Sequence, residues 1–466
     1  MSRSGKKRNG RGFLKLLILA AVILFLLSDA SPLNLTLPDP IGAVIGYFHT
    51  LTGNSKETKE AEGRKKAEED SGDSLSLPAS YDLRDYGKAP EARSQGDLGT
   101  CWAFSRLSAI ESTLLPAEKW IFSPDHMSSH SPGVISQYDA GSLNTADAYL
   151  LSWKGPVTEE EDPYGDGYSP DDLSAEKHVQ EIQYLPEKDY NKIKQAVMKY
   201  GGVVTSLCIP SDNDEDSQYY NREKAAFCYS GTEEDNHDAL IIGWDDGYSK
   251  SNFHDFAGQD GAFLVLSSWG NQFGDNGVFH VSYEDAYIGK QSEVYTGVEN
   301  ADNYDEIYQS DLRGETASFG FGRPFMRFAN VYTAASDEYI CAAGFYATEP
   351  DTSVKIYTVS NVKNTSPWFW HKKPAAQATF SEKGFYTVSF PEPVAVSSDE
   401  RFAILAEITS GHSVRPIAIE YAGNHLEYKV DLRDGEGYLS CLGSRWYSAE
   451  KDYLCNLCLK AYTKKR

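Results

Sequence analysis

Three textures of hydrophobic and polar positions follow one another along the chain. Residues 16–27 are an unbroken apolar run behind a basic head, followed by Ser28, Asp29 and Ala30. The run is short of the roughly 20 residues that span a bilayer, and small residues stand where a signal peptidase reads. Residues 1–30 are therefore read as a signal peptide or, if uncleaved, as an N-terminal membrane anchor, and either reading places the rest outside the cytoplasm. Residues 53–74 mix charges with Gly and Ser and hold no large apolar side chain. The segment 31–76 is accordingly expected to be a linker or short pro-segment.

From residue 77 helical and strand-like periods mix. Residues 101–115 lack Gly and Pro and place Ala103, Leu107, Ile110 and Leu114 at helical spacing, which predicts a buried helix. Residues 189–200 repeat the period with Ile193, Val197 and Tyr200, stop at Gly201 and Gly202, and lead into a strand-like stretch at 203–209. Continuous apolar runs at 239–244 and 262–266 have the length of buried strands. After residue 300 only short alternating runs remain, at 353–359, 384–390, 401–408 and 456–462. They predict an antiparallel β-sandwich over 301–466.

Charge narrows the partners. With 44 Lys and Arg against 68 Asp and Glu the chain carries −24, which argues against nucleic acid as a partner. The basic residues of the head (Arg3, Lys6, Lys7, Arg8, Arg11 and Lys15) suit the charged start of a signal peptide or anchor instead. Seven cysteines leave at least one outside any internal disulfide.

That odd cysteine has a candidate. In residues 94–105 a Gly-rich loop delivers Cys101 to a predicted helix start, where unpaired amides and the helix dipole stabilise a thiolate. Gln95, six residues earlier, can aim its NH₂ at an oxyanion alongside the Cys101 N–H. This stretch resembles the papain-like cysteine peptidases. The segment 235–244 is similar to the strand that carries that family's histidine, and His237 lies 136 residues after Cys101. Residues 268–270 (Ser-Trp-Gly) and the Gly-rich turn at 273–277 resemble the segment around its asparagine. Residues 81–84, 153–157 and 244–246 are similar to bacterial exported members that end in a lectin-like sandwich.

The resemblance implies an α+β fold with a two-lobe papain-like catalytic domain over 77–300, then an all-β lectin-like sandwich over 301–466. It implies an exported cysteine endopeptidase acting on protein or peptide substrates, with Cys101 as nucleophile and His237 as base. Gln95 would bind the oxyanion, Ser267 would orient the imidazole, Trp269 would shield that contact, and Gly141 with Trp269 would line the binding site. Two positions depart from the family pattern. Ser267 stands where the orienting asparagine should be, and Leu98 replaces a cysteine, so a disulfide beside the site is missing. The alternative is a papain scaffold without strong activity at the cell surface, whose sandwich binds a glycan or protein ligand.

Other clusters are less complete than their chemistry needs. His126 and His130 flank Met127 in a Ser/Pro-rich loop without supporting acids or thiols. Residues 212–223 place acids at calcium-loop positions, but Ser217 stands where the turn needs Gly. Cys341, Cys441, Cys455 and Cys458 suit strand disulfides or buried thiols better than zinc in an exported domain. No metal or organic cofactor is expected. Cys208 and Cys228, the remaining cysteines before residue 300, are expected to pair. Residues 368–371, Trp-Phe-Trp-His, suit either a sugar or protein contact or packing on the catalytic domain.

Overall fold

The protein is described by a computed structural model over residues 76–134, 136–138, 141, 143–210, 217–254, 257–363, 373–421, 423 and 430–466. The signal-peptide and Trp-Phe-Trp-His readings fall outside the described residues, as do residues 31–75 of the linker and 212–216 of the acidic loop. Among those described, no helix is long and apolar enough to cross a membrane. The chain divides into two compact units. In one, the described part is Ser440–Trp446, a turn in which the Gly443 amide donates to the Ser440 hydroxyl at 2.6 Å. Everything below concerns the other, Ser74–Leu439 with Tyr447–Arg466.

Its main helices are α1 (Cys101–Leu114), α2 (Pro124–His130), α3 (Leu143–Leu151) and α4 (Tyr190–Lys199). Helix α1 is buried on every face from Cys101 to Ser112. Helix α4 is amphipathic and capped by the Asp189 side chain. The segment read as a Ser/Pro-rich loop is instead helix α2, started by Pro124 and capped by the Ser123 hydroxyl on the His126 amide. There the loop-forming residues serve as a helix start.

The main strands are β1 (Ser80–Asp82), β2 (Lys177–Tyr184), β3 (Val203–Leu207), β4 (His237–Asp245), β5 (Ala262–Leu266), β6 (Val278–Ser282) and β7 (Glu293–Asn300). The second half adds β8 (Glu306–Tyr308), β9 (Phe325–Thr333), β10 (Glu338–Ala347), β11 (Thr352–Val359), β12 (Ala376–Phe380), β13 (Lys383–Val396), β14 (Arg401–Thr409) and β15 (Leu459–Lys465). The stretch expected as one strand at 456–462 breaks at Cys458: Cys455–Leu457 joins a three-stranded sheet and β15 a different one. Alternation alone carries no signal for such a change of sheet.

The sandwich has two layers. A six-stranded sheet containing β12, β11, β14 and β9 faces β8, β15, β10 and β13 across a core of Met326, Phe328, Ile340, Phe345, Phe402 and Ile404. The second layer does not end there. Strand β13 pairs antiparallel with β2, Tyr386 opposite Glu181, so one sheet of thirteen strands runs on through β2, β7, β3, β4, β5 and β6. The expected pairing of Cys208 with Cys228 is not found, and none of the seven cysteines is in a disulfide. Each thiol of that pair has its own partner, Cys208 the Tyr229 hydroxyl and Cys228 that of Ser282.

Candidate active site

The loop before α1 is fastened at both ends. The Gln95 amide donates to the Ser268 carbonyl at 2.8 Å, that of Gly99 to the Gln137 carbonyl at 2.8 Å, and Ser94 forms a bridge with Trp269. The Tyr164 hydroxyl donates to the Gln95 carbonyl at 2.9 Å and lies 2.6 Å from Thr100 Oγ1. Thr100 occupies the N-cap of α1 but makes no side-chain cap. The amides of Ala103 and Phe104 donate to the Thr100 carbonyl at 2.9 and 3.2 Å, whereas that of Cys101, the first residue of α1, has no acceptor within the helix and stays available to a bound group.

The structure fixes the Gln95 amide by both ends. Its Oε1 accepts from Ser268 Oγ at 2.5 Å, and one Nε2 hydrogen goes to the Leu98 carbonyl at 2.7 Å. The second Nε2 hydrogen is left over. Gly141 lies against the ring beside Cys101: a Cβ there would meet Trp102 Cε2 at 2.2 Å, so only glycine lets the backbone approach.

His237 opens β4, and its ring stacks on Trp269 at 4.5 Å between centroids and 24° between planes. Strand pairing sets this up, because β4 and β5 run antiparallel with Leu240 opposite Leu266. Continuing that register sets Trp269 across from His237 and places Ser267 on the same face. His237 and Ser267 are 7% and 3% exposed, and neither His237 Nε2 nor Ser267 Oγ has a hydrogen-bond partner among the described residues. Ser267 is anchored through its backbone, its amide donating to the Gly277 carbonyl at 2.9 Å.

Cys101 is 8% exposed. Burial, and then the Asp238 carboxylate, push its thiol up to about 11, while the amides of Asp238 and Trp102 and the Arg106 charge act the other way. Burial holds His237 down at about 4 against the pull of Asp238.

Sequence reasoning missed the charges beneath the nucleophile. Arg106, 2% exposed, donates from Nη1 to Asp238 Oδ2 at 2.5 Å and lies with Nε 2.8 Å from Glu293 Oε1. Its signal was visible as an arginine inside a helix expected to be buried. Ser268 and Tyr164 were missed for another reason, since their roles arise only when distant loops meet. His126 and His130 lie on α2 with rings 4.2 Å apart, bonded to Tyr149 and Ser169. Among the described residues no three His, Cys, Asp or Glu side chains come together as metal ligands.

Comparison with known proteins agrees with this architecture. Residues 77–298 match the family model described as Papain family cysteine protease, and 307–463 that of the Lectin like domain. Among curated relatives, cathepsin S of Bos taurus is 26% identical over 242 residues, 50% of this chain and 66% of that protein. The oryzain beta chain of Oryza sativa subsp. japonica is 26% identical over 208 residues, 43% of this chain and 41% of that protein. The chain thus spans about half the length of such relatives. A solved structure of the cysteine protease and lectin-like domains of Cwp84, a surface layer associated protein of Clostridium difficile, superposes with a TM-score of 0.72 at 24% identity. It covers 84% of this chain and 89% of that one. Cwp84 after propeptide cleavage gives a TM-score of 0.73 at 24% identity, over 83% and 99%. Residues 77–298 belong to the papain family of cysteine proteases, joined in an α+β chain to a sheet-rich lectin-like domain.

Proposed function

We propose that the protein is an exported cysteine endopeptidase. The observation that carries this is the meeting of the first residue of α1 with the first residues of β4: the Cys101 sulfur takes a hydrogen bond from the amide that follows His237. As the sulfur attacks a peptide carbonyl, a C–S bond forms and the thiol proton passes to His237. The carbonyl oxygen becomes an oxyanion, held by the Cys101 N–H and the remaining Gln95 Nε2 hydrogen. When the intermediate collapses, the C–N bond breaks and His237 gives its proton to the leaving amine. Water then releases the acyl group. Trp269 lies flat on the imidazole and keeps water from it. No step needs a metal or cofactor. The apolar head and the likeness to a surface layer associated protein support a place outside the cytoplasm, with the lectin-like region free to hold a glycan or protein at the cell surface.

The binding-protein alternative draws on one observation, the buried and unpartnered His237 Nε2 and Ser267 Oγ. Labelling with a thiol-reactive peptidyl epoxide separates the two. Label that is incorporated by the wild type and lost in both Cys101→Ala and His237→Ala, alongside peptide hydrolysis, supports the peptidase. An inert thiol in a folded chain supports the binding protein.

A further inference from the structure

Arg106 is the most deeply buried cation near the nucleophile, and the chemistry above makes no use of it. It sits five residues into α1, so it moves with Cys101 as part of one rigid helix. Its guanidinium reaches out of the helix to two strands. Nη1 meets Asp238 Oδ2 at 2.5 Å on β4, Nε lies 2.8 Å from Glu293 Oε1 on β7, and Nη1 also donates back to the Trp102 carbonyl at 3.2 Å. Asp238 is held from its other oxygen by Ser206 Oγ of β3 at 3.1 Å. Asp147 of α3, bonded by the Tyr184 hydroxyl at 2.5 Å, adds a third carboxyl facing this cation.

Burying an arginine is costly unless it is paired with opposite charge; here Nη1 carries the hydrogen bonds while Nε, beside Glu293, makes none, and a planar guanidinium held between two carboxylates has little freedom to move. The cation therefore works as a spacer of set length between α1 and β4. Asp238 is the residue after His237, so whatever fixes Asp238 relative to α1 fixes where the imidazole stands relative to the thiol. Adjacent residues of a strand point to opposite faces, which leaves the His237 ring clear of the ion pair. We propose that the Arg106–Asp238 ion pair is a positioning device that sets the separation of Cys101 and His237, a role that rests on the peptidase reading above. The two charges also act on the thiol in opposite senses, Arg106 favouring the thiolate and Asp238 opposing it. Tyr164 is a further titratable group facing the sulfur.

The test uses the full chain and two readouts. Asp238→Asn keeps the shape of the side chain and an acceptor for Arg106 while removing the charge; Arg106→Lys keeps the charge and loses the fork. Folding of each is checked by thermal melting, and Arg106→Met with Glu293→Gln serves if the lysine variant does not fold. Peptide hydrolysis should lose roughly 10-fold or more in kcat in every folded variant, with KM within about 2-fold, because the substrate site is untouched and the approach of sulfur to imidazole is not. Alkylation of Cys101 by iodoacetamide, which needs no peptidase activity, should shift its pH midpoint down in Asp238→Asn and up in Arg106→Met/Glu293→Gln. Unchanged kcat in folded Asp238→Asn, or midpoints that move the same way, overturns the proposal. A wild type that alkylates but hydrolyses nothing instead removes the peptidase reading, while the opposite midpoint shifts would still be seen.

Discussion

The Ser267 hydroxyl and His237 Nε2 are both buried and both lack a partner among the described residues, a state that costs about 1–3 kcal/mol for each group left unmade. Their strand register puts them on one face, so the shortfall is one of reach. An asparagine amide is longer than a hydroxymethyl group and carries a carbonyl that accepts from an imidazole N–H. Ser267→Asn should therefore raise kcat by a few-fold to about 100-fold, the equivalent of about 1–3 kcal/mol of orientation. Ser267→Ala should lie at or below the wild type, and steady-state kinetics on one peptide substrate checks the order. Equal turnover in all three would mean that position 267 does not orient the base. Gln95 makes the second prediction at this scale. Because Ser268 fixes its Oε1 and Leu98 takes one Nε2 hydrogen, the other is presented in a set direction. Gln95→Ala should lower kcat by roughly 10- to 1000-fold with little change in substrate affinity. A rise in KM at constant kcat would make Gln95 a binding residue.

Helix α1 was legible as a helix because Ala103, Leu107, Ile110 and Leu114 recur at its period, and Cys101 at its start was legible with it. What spacing could not give is how the helix is tied down. Glu111, 3% exposed, accepts from Arg93 Nη2 and from the Phe122 amide, each at 2.9 Å, while Arg93 Nη1 donates to the Phe122 carbonyl at 2.7 Å. These contacts join residues that are 18, 11 and 29 apart in sequence, and they fasten α1 to the segment entering the Gly-rich loop. Ser267, Trp269 and His237 were readable through motif order, whereas the Arg106 contacts with β4 and β7 were not, since no local period links positions 106, 238 and 293. Burial pushes the Glu111 carboxyl up from 4.5 to about 7. An acid with a raised folded value keeps its proton where the unfolded chain has lost it. Its contribution is full below about pH 4.5 and is lost as pH rises through 7, on the order of 1–3 kcal/mol. In Glu111→Gln that loss is absent, and one amide oxygen can still accept from Arg93 and Phe122. Urea unfolding at pH 5 and pH 8 should show the variant gaining on the wild type at the higher pH. A difference independent of pH would mean that Glu111 is ionised throughout.

At the scale of the whole molecule, the two regions that sequence texture separates near residue 300 share a sheet. The alternating runs after 300 identified strands and their sandwich arrangement, but alternation is blind to which strand lies beside which, and the join between β2 and β13 could not be read from it. That join is close: a Cβ on Gly384 would stand 2.0 Å from the Ile182 carbonyl oxygen, so glycine is needed for the backbones to pair. The core beneath the catalytic strands also takes Tyr346, Phe385, Ala418 and Cys458 from the second region, alongside Tyr149, Ile182 and Tyr295 from the first. Trp153 stacks on His178 at 3.7 Å and on Tyr462 at 5.5 Å, carrying the contact across the join. A chain ending at residue 300 would leave β2 with an unpaired edge and this apolar surface in water, the condition that favours strand-to-strand association. Residues 77–300 expressed alone should therefore melt well below the full chain and form soluble oligomers or aggregates at micromolar concentration. Differential scanning calorimetry with size-exclusion chromatography checks both. A monomeric fragment with the melting temperature of the full chain would mean that the shared sheet contributes nothing to stability. The catalytic region would then have to be treated as an independent folding unit despite the strand pairing between residues 181–184 and 383–386.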